Sequence, residues 1–572
     1  MTRMTPSEAL VETMVAQGVK HVFGIVGSAY MDALDLFEPA GIRFISTAHE
    51  QGAGHMADGY ARASGRHGVC IAQNGPGVTN FVTAIAAAYW AHSPVVCITP
   101  EAGTQTTGLG GFQETDQLPI FSKITTYQAH VNRPDRIAEL AGRCFDLALT
   151  ERGPTQLNIP RDYFYGEIDV EIPRPVRIER GAGGAESLAR AVALLADAAF
   201  PVIVAGGGVV MADAVDQLRA LAEHLQAPVV TSYLHNDAFP ADHELYLGPI
   251  GYLGSKAAMR VLAQADVVLA LGSRLGPFGT LPQYGIDYWP RAAKLIQVDI
   301  DHRRLGLVKP VDVPVLGDAR AAAVALLDGL RALNRTPAAQ ANRERRLAEI
   351  RKQKAAWKAE LEQASASDGV PMAPRRALSE LERALPEDAM VTTDIGNICS
   401  VANSYLHFKR PRSFFAAMSF GNCGYAYPTA IGAKVAAPER PAIAYVGDGA
   451  WGMSLNETLT CVRERIPVVA VVFNNGQWGA EKRNQIDYYA CRFVGTQLDN
   501  PSFAKVAEAM GALGLVVERP GEVGEALRSA VASERPAVVE IRVSQELAEP
   551  FRRDALKKPV RLLEKYRAYT VS

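Results

Sequence analysis

Short apolar runs recur along the chain, separated by stretches of helical length. The runs at 68–72 (GVCIA), 95–99 (VVCIT), 202–205 (VIVA), 267–271 (VVLAL), 443–446 (IAYV) and 468–473 (VVAVVF) are continuous rather than alternating. Strands covered by helices on both faces read this way, because neither face meets water. The pattern predicts an α/β fold built from doubly wound, mostly parallel sheets. At the N-terminus, Thr5-Pro6-Ser7-Glu8 has the Thr-x-x-Glu spacing of a capping box with proline in the first turn. A helix is expected there, not a signal peptide. No apolar run approaches the ~18 residues of a membrane span.

Two stretches break the pattern. Residues 171–184 (EIPRPVRIERGAGG) are rich in Pro, Gly and Arg, and residues 336–368 contain the charged run ANRERRLAEIRKQKAAWKAELEQ. The first reads as a linker and the second as a solvated surface helix joining domains. Three domains follow, 1–170, 185–335 and 370–545, with a basic tail at 546–572. A chain of 572 residues is long enough for them.

With 59 Lys and Arg against 61 Asp and Glu, the net charge is −2, which excludes a general affinity for nucleic acid or anionic membranes. The seven cysteines are scattered with no CxxC pair. That argues against a disulfide framework or zinc cluster, and for a reducing, cytoplasmic setting.

The third domain carries the strongest chemical signal. A buried strand ends in Gly447-Asp448-Gly449-Ala450, a helix is expected at about 454–465, and the next strand ends in Asn474-Asn475-Gly476-Gln477. Strand ends of this kind are where α/β sheets bind ligands, and the helix start suits phosphate. The Asp448 carboxylate, the Asn475 amide and a backbone carbonyl, assigned to Gln477, are hard oxygen donors of the kind Mg²⁺ takes, completed by diphosphate oxygens and water. Two ordinary strand-end turns are the plain alternative.

Gly-Asp-Gly followed by Asn-Asn after an apolar strand resembles the signature of thiamine diphosphate enzymes. The resemblance implies pyrimidine, central and diphosphate domains, with thiamine diphosphate and Mg²⁺ as cofactors. It implies that Gly396, Asn397, Gly447, Asp448, Gly449, Ala450 and Asn475 contact the cofactor. It also implies that Glu50, within Phe44–Arg62 of the first domain, hydrogen-bonds the aminopyrimidine ring as the catalytic acid. His49 and His55 are read as packing residues. Gly421 and Cys423 would support the bend of the cofactor, with Cys423 standing where relatives carry a larger Leu, Ile or Met.

The stretches Gln73-Asn-Gly-Pro-Gly-Val-Thr-Asn80 and Gly110-Gly-Phe112-Gln113-Glu114 resemble the acetolactate-synthase-like branch. That likeness implies that Phe112 and Gln113 face the reacting carbon. The adjacent His-His pair of pyruvate-decarboxylase-like members is missing. The Gly206-Gly207-Gly208 turn does not match a dinucleotide fingerprint, so the central domain is expected to hold no nucleotide.

Longer stretches, including residues 22–34, 89–94 and 157–166, narrow the resemblance to members acting on sulfoacetaldehyde and phosphate, releasing acetyl phosphate and sulfite. An acetolactate synthase-like carboligase, a 2-oxo acid decarboxylase and a non-catalytic relative are the rivals. Arg161, Lys123, Arg274, Arg552, Arg553, Lys557, Lys558 and Arg561 are candidate anchors for two anionic substrates, and the basic tail is expected to fold over the site as a lid. The family likeness further implies a homodimer or homotetramer with active sites at the subunit interface.

Overall fold

Three six-stranded sheets organise the chain. The computed structural model describes residues 1–333, 338–341, 343–548 and 556–571. The first sheet contains β2 (His21–Gly24), β3 (Arg43–Ser46), β4 (Gly68–Ile71), β5 (Val95–Glu101), β6 (Tyr127–His130) and β7 (Thr155–Pro160), in the order β3-β2-β4-β5-β7-β6. A short antiparallel pair, β1 (Thr2–Met4) with β8 (Ile168–Val170), ties the chain start to the end of this region.

The middle sheet holds β9 (Pro201–Ala205), β10 (Val229–Thr231), β11 (Tyr246–Pro249), β12 (Val267–Leu271), β13 (Lys294–Asp299) and β14 (Val313–Leu316), in the order β11-β10-β9-β12-β13-β14. The last holds β15 (Met390–Thr393), β16 (Phe414–Ala416), β17 (Ala442–Gly447), β18 (Val468–Asn474), β19 (Leu513–Val517) and β20 (Ala537–Arg542), in the order β16-β15-β17-β18-β20-β19. All pairings within the three sheets are parallel. The first and last sheets share one strand order, so each reverses its winding between its first and third strands. That switch opens a crevice at the carboxyl ends of β15 and β17.

The apolar runs lie in these strands and are buried, as continuous patterning requires. The capping box forms, with Glu8 N–H donating to Thr5 Oγ1 at 3.1 Å and Thr5 N–H to Glu8 Oε2 at 2.6 Å. The first and last sheets share a core, within which helix Glu50–Ser64 packs against helix Ala426–Ala436. A Cβ on Gly59 would lie 2.0 Å from the Thr429 carbonyl oxygen, and one on Gly432 would lie 1.9 Å from that of Met56. Backbone meets backbone there, so both positions require glycine.

The charged helix Arg343–Ala364 differs from a purely solvated connector. Leu347 and Ile350 join the middle core, and Arg346 is 1% exposed. Its guanidinium donates to the carbonyls of Gln226 and Ala199 at 3.2 and 2.9 Å. The long aliphatic stem lets a charged residue sit at this packed face.

Candidate active site

The crevice is built from four chain segments that follow strand ends. After β15, Asp394 accepts the N–H groups of Tyr425 at 2.8 Å and Ala426 at 3.4 Å. Burial pushes its carboxyl up to about 7, against those backbone donors. The carboxylate thereby ties the β15 exit to the turn at 421–424. Gly396 follows with φ +117°, a conformation that favours glycine, and starts helix Asn397–Tyr405. Asn397 Oδ1 accepts the Ala548 N–H at 3.1 Å, whereas its Nδ2 is buried without a protein partner. Gly421, at φ +66°, has only Ile395 near its missing Cβ, at 3.8 Å. Cys423 is half-buried, and burial followed by the charge of Asp394 pushes its thiol up to about 12.

Gly447 ends β17, and Asp448 opens helix Asp448–Gly452 directly. The helix expected at 454–465 forms at Glu457–Glu464, and this short helix precedes it. Three glycines within the single turn at 447–452 hide this helix, because so short a run gives no amphipathic period. Asp448 is buried. Its Oδ2 accepts Gly476 N–H at 2.7 Å, Gln477 N–H at 3.3 Å and Asn500 Nδ2 at 2.8 Å. Its Oδ1 accepts Gly449 N–H at 2.9 Å. Burial raises its pKa, and these donors oppose the shift.

The register pairs Gly447 with Phe473, so the exits of β17 and β18 lie side by side. Asn475 is buried with Oδ1 unpartnered. The Gln477 side chain is engaged elsewhere: Oε1 accepts Lys482 Nζ at 2.8 Å and Nε2 donates to the Gln545 carbonyl at 3.2 Å. The oxygen this residue can offer is its backbone carbonyl. A carboxylate, an orphaned amide oxygen and a backbone carbonyl at two adjacent strand exits are a donor set that fits a hard divalent cation.

Glu50 opens its helix in a second cluster, at the carboxyl edge of the first sheet. Its Oε2 accepts Asn80 Nδ2 at 2.9 Å. His49 caps the same helix, accepting Gln51 N–H at 3.1 Å. Gln113, at φ +60°, accepts Gln73 Nε2 at 2.9 Å, and its carbonyl accepts Asn74 Nδ2 at 3.0 Å. Phe112 is 81% exposed. His55 is fully buried, its pKa lowered to about 3 by burial, and its Nε2 meets Asn422 Nδ2 at 3.2 Å. It is a neutral packing residue, as the sequence reading has it. No hydrogen bond or ion pair among the described residues joins Glu50 to Asp448, Asn475 or Gln477.

The basic candidates are dispersed. Arg274 donates to Ser419 Oγ and stacks 5.0 Å from the Trp90 ring. Arg552 and Arg553 lie outside the described residues. The tail turn Glu564–Tyr569 touches the loop after helix Gly479–Tyr488, where Arg492 Nη2 donates to the Tyr569 carbonyl at 3.0 Å. A separate cavity of about 580 Å³ opens at the carboxyl edge of the middle sheet, lined by Gly207, Gly208, Gly272, Arg274 and Asp299 among others. Asn500, Lys482 and Gln545 are the contact residues that no motif flagged, and Asn80, inside the stretch 73–80, is assigned no role by its motif.

Residues 4–120, 188–326 and 394–541 match, in turn, the N-terminal TPP-binding, central and C-terminal TPP-binding domains of thiamine pyrophosphate enzymes. The chain is 62% identical to a sulfoacetaldehyde acetyltransferase of Castellaniella defragrans, over 99% of this chain and 98% of that protein. It is 60% identical to one from Alcaligenes xylosoxydans xylosoxydans, over 99% and 98%. A probable acetolactate synthase large subunit of Methanocaldococcus jannaschii is 35% identical, over 96% and 93%.

Proposed function

The chain belongs to the thiamine pyrophosphate enzyme family, and from that premise we propose that it is an acyltransferase converting sulfoacetaldehyde and phosphate to acetyl phosphate and sulfite. The observation that carries this reading is its end-to-end likeness to sulfoacetaldehyde acetyltransferases. The carbon–sulfur bond breaks with its electron pair leaving on sulfite. The aldehyde hydrogen is lost as a proton and its electron pair passes to the neighbouring carbon, which takes up a proton and becomes methyl. The aldehyde carbon is left at the acyl level and is taken by a phosphate oxygen, which gives up its own proton. The oxidation is internal, so no external acceptor is required.

When bound, thiamine diphosphate supplies the nucleophilic carbon and the electron sink for this chemistry. Asp448, Asn475 and the Gln477 backbone carbonyl would hold Mg²⁺. The unpartnered Asn475 Oδ1 and the single N–H on Asp448 Oδ1 support that fit. Gly396, Asn397, Gly447, Gly449 and Ala450 would face the diphosphate, with the unpartnered Asn397 Nδ2 as a donor. Gly421 and Cys423 would face the pyrimidine. Glu50, oriented by Asn80, would hold a proton at the pyrimidine ring. Phe112 and Gln113 would close over the reacting carbon and exclude water.

No hydrogen bond or ion pair among the described residues joins Glu50 to the Asp448 cluster, and the family likeness favours a homodimer with sites at the subunit interface, or a tetramer of two such pairs. The tail contact at Arg492 favours a lid role for the C-terminal segment. Among the described residues no helix is long and apolar enough to cross a membrane; a cytoplasmic location is part of the proposal.

The test is sulfite release from sulfoacetaldehyde by purified protein with thiamine diphosphate and Mg²⁺, with and without phosphate. Phosphate-dependent sulfite and acetyl phosphate in equal amounts are expected. Carbon dioxide from pyruvate with no sulfite would replace this reading with the carboligase or decarboxylase.

A further inference from the structure

We propose that Lys482 is an electrostatic anchor for the diphosphate group, a buried ammonium whose counter-charge arrives with the ligand; this rests on the cofactor reading above. Lys482 is 8% exposed. Its Nζ donates to Gln477 Oε1 at 2.8 Å and Gln545 Oε1 at 3.0 Å, and lies 5.2 Å from the centre of the Phe493 ring. Both hydrogen-bond partners are neutral amides, and no carboxylate pairs with it among the described residues. Its helix neighbour Arg483, by contrast, pairs with Asp487 at 3.1 Å. An ammonium removed from water without a counter-ion is costly to the folded protein, and the amides offset that only in part.

The position of the lysine explains why the cost is tolerated. Gln545 Nε2 donates to the Asn475 carbonyl at 3.3 Å, and Gln477 Nε2 donates to the Gln545 carbonyl at 3.2 Å. Lys482, Gln477 and Gln545 therefore close a hydrogen-bonded ring that Gln545 ties to Asn475 of the proposed cation turn. Three residues before Lys482, a Cβ added to Gly479 would lie 3.7 Å from Asn397 Cβ. The helix start thus spans from the cation turn to the N-terminus of the helix beginning at Asn397. A phosphoanhydride lying between those two points would bring negative charge next to the uncompensated ammonium. The ring also engages both polar ends of the Gln477 side chain, leaving its main-chain carbonyl as the oxygen it can offer the cation.

A merely structural lysine and a charge anchor predict opposite stability changes. The test uses Lys482→Met and Lys482→Arg in the full chain. Binding of thiamine diphosphate and of thiamine, each with Mg²⁺, is followed by tryptophan fluorescence, since the Trp478 ring sits over Gly449. Lys482→Met is expected to weaken thiamine diphosphate about tenfold and to leave thiamine unchanged. The unfolding midpoint of the ligand-free protein should stay level or rise. Lys482→Arg should retain diphosphate binding. A lower ligand-free midpoint with parallel loss of both ligands would reduce Lys482 to a packing role and overturn the proposal. A parent chain that binds neither ligand would instead overturn the cofactor reading.

Discussion

The side-chain amide of Asn500 reaches Asp448 Oδ2 at 2.8 Å and, from the same nitrogen, Asn474 Oδ1 at 3.1 Å. It joins the exits of β17 and β18 from outside both strands. The Asp448 carboxylate is thereby fixed by a group that belongs to neither motif. Partners of this kind orient metal ligands, and their loss typically costs about 10–100-fold in metal affinity. Asn500→Ala should therefore raise the Mg²⁺ concentration needed for half-maximal activity by about tenfold, with little change at saturating Mg²⁺. An unchanged Mg²⁺ titration would dissociate Asn500 from the site.

Glu50 is oriented by Asn80 at 2.9 Å and stands at a helix start. Glu50→Gln keeps the shape and an acceptor oxygen but loses the proton-holding group. Turnover should fall by at least about 100-fold, the usual scale of acid–base contributions, while calorimetry still records cofactor binding. A variant with parental turnover would remove Glu50 from the mechanism.

The strands were legible because burial on both faces leaves continuous apolar runs, and the Asp448 and Asn475 turns were legible because glycines and paired asparagines mark strand exits. The remaining contacts come from single side chains far away in sequence. Asn500 and Gln545 reach the site from beyond β18 and β20, and nothing periodic announces them. Lys482 looks like one more charge on a polar helix until the fold buries it. Arg346 misleads in the same way, since its run reads as solvated while its guanidinium reaches the carbonyls of Ala199 and Gln226.

Gly59 and Gly432 allow two helices to touch through backbone. A methyl group at Gly59 meets a carbonyl oxygen, not the end of a flexible side chain, so relief requires the helices to separate. Gly59→Ala should destabilise the protein by about 2 kcal/mol, read as a lower urea midpoint. Gly521→Ala has no atom within 4 Å of the new carbon and serves as the control.

Two buried histidines, His55 and His67, and three half-buried ones set an acid limit. Burial lowers His55 and His235 to about 3, and His21, His67 and His92 to about 4. The unfolded chain protonates these side chains near pH 6.5, whereas the folded chain resists until pH 4 or below. Their contribution is fully present above about pH 6.5 and is lost as the pH falls from there toward 4, with a limiting slope of about 1.4 kcal/mol per pH unit for each histidine. The urea midpoint should drop clearly between pH 7.5 and 5.5, before most carboxylates titrate. A flat profile over that interval would contradict the buried, neutral assignment.

The C-terminal segment ends against the flank of the site. Arg492 donates to the Tyr569 carbonyl and stacks 5.2 Å from its ring, and the adjacent Phe493 faces the Lys482 ammonium. Lys557, Lys558 and Arg561 bring positive charge to the same segment. Both proposed substrates are anions, and phosphate must enter while water is kept out. Truncation after Ala548 removes the basic cluster and the Tyr569 contact but leaves every strand and the hydrogen bond between Ala548 and Asn397 in place. It should raise the KM for phosphate severalfold and permit slow phosphate-independent loss of sulfite, with the unfolding midpoint nearly unchanged. If both Michaelis constants and turnover stay at parental values, the segment has no lid role, and its contact with Arg492 serves packing alone.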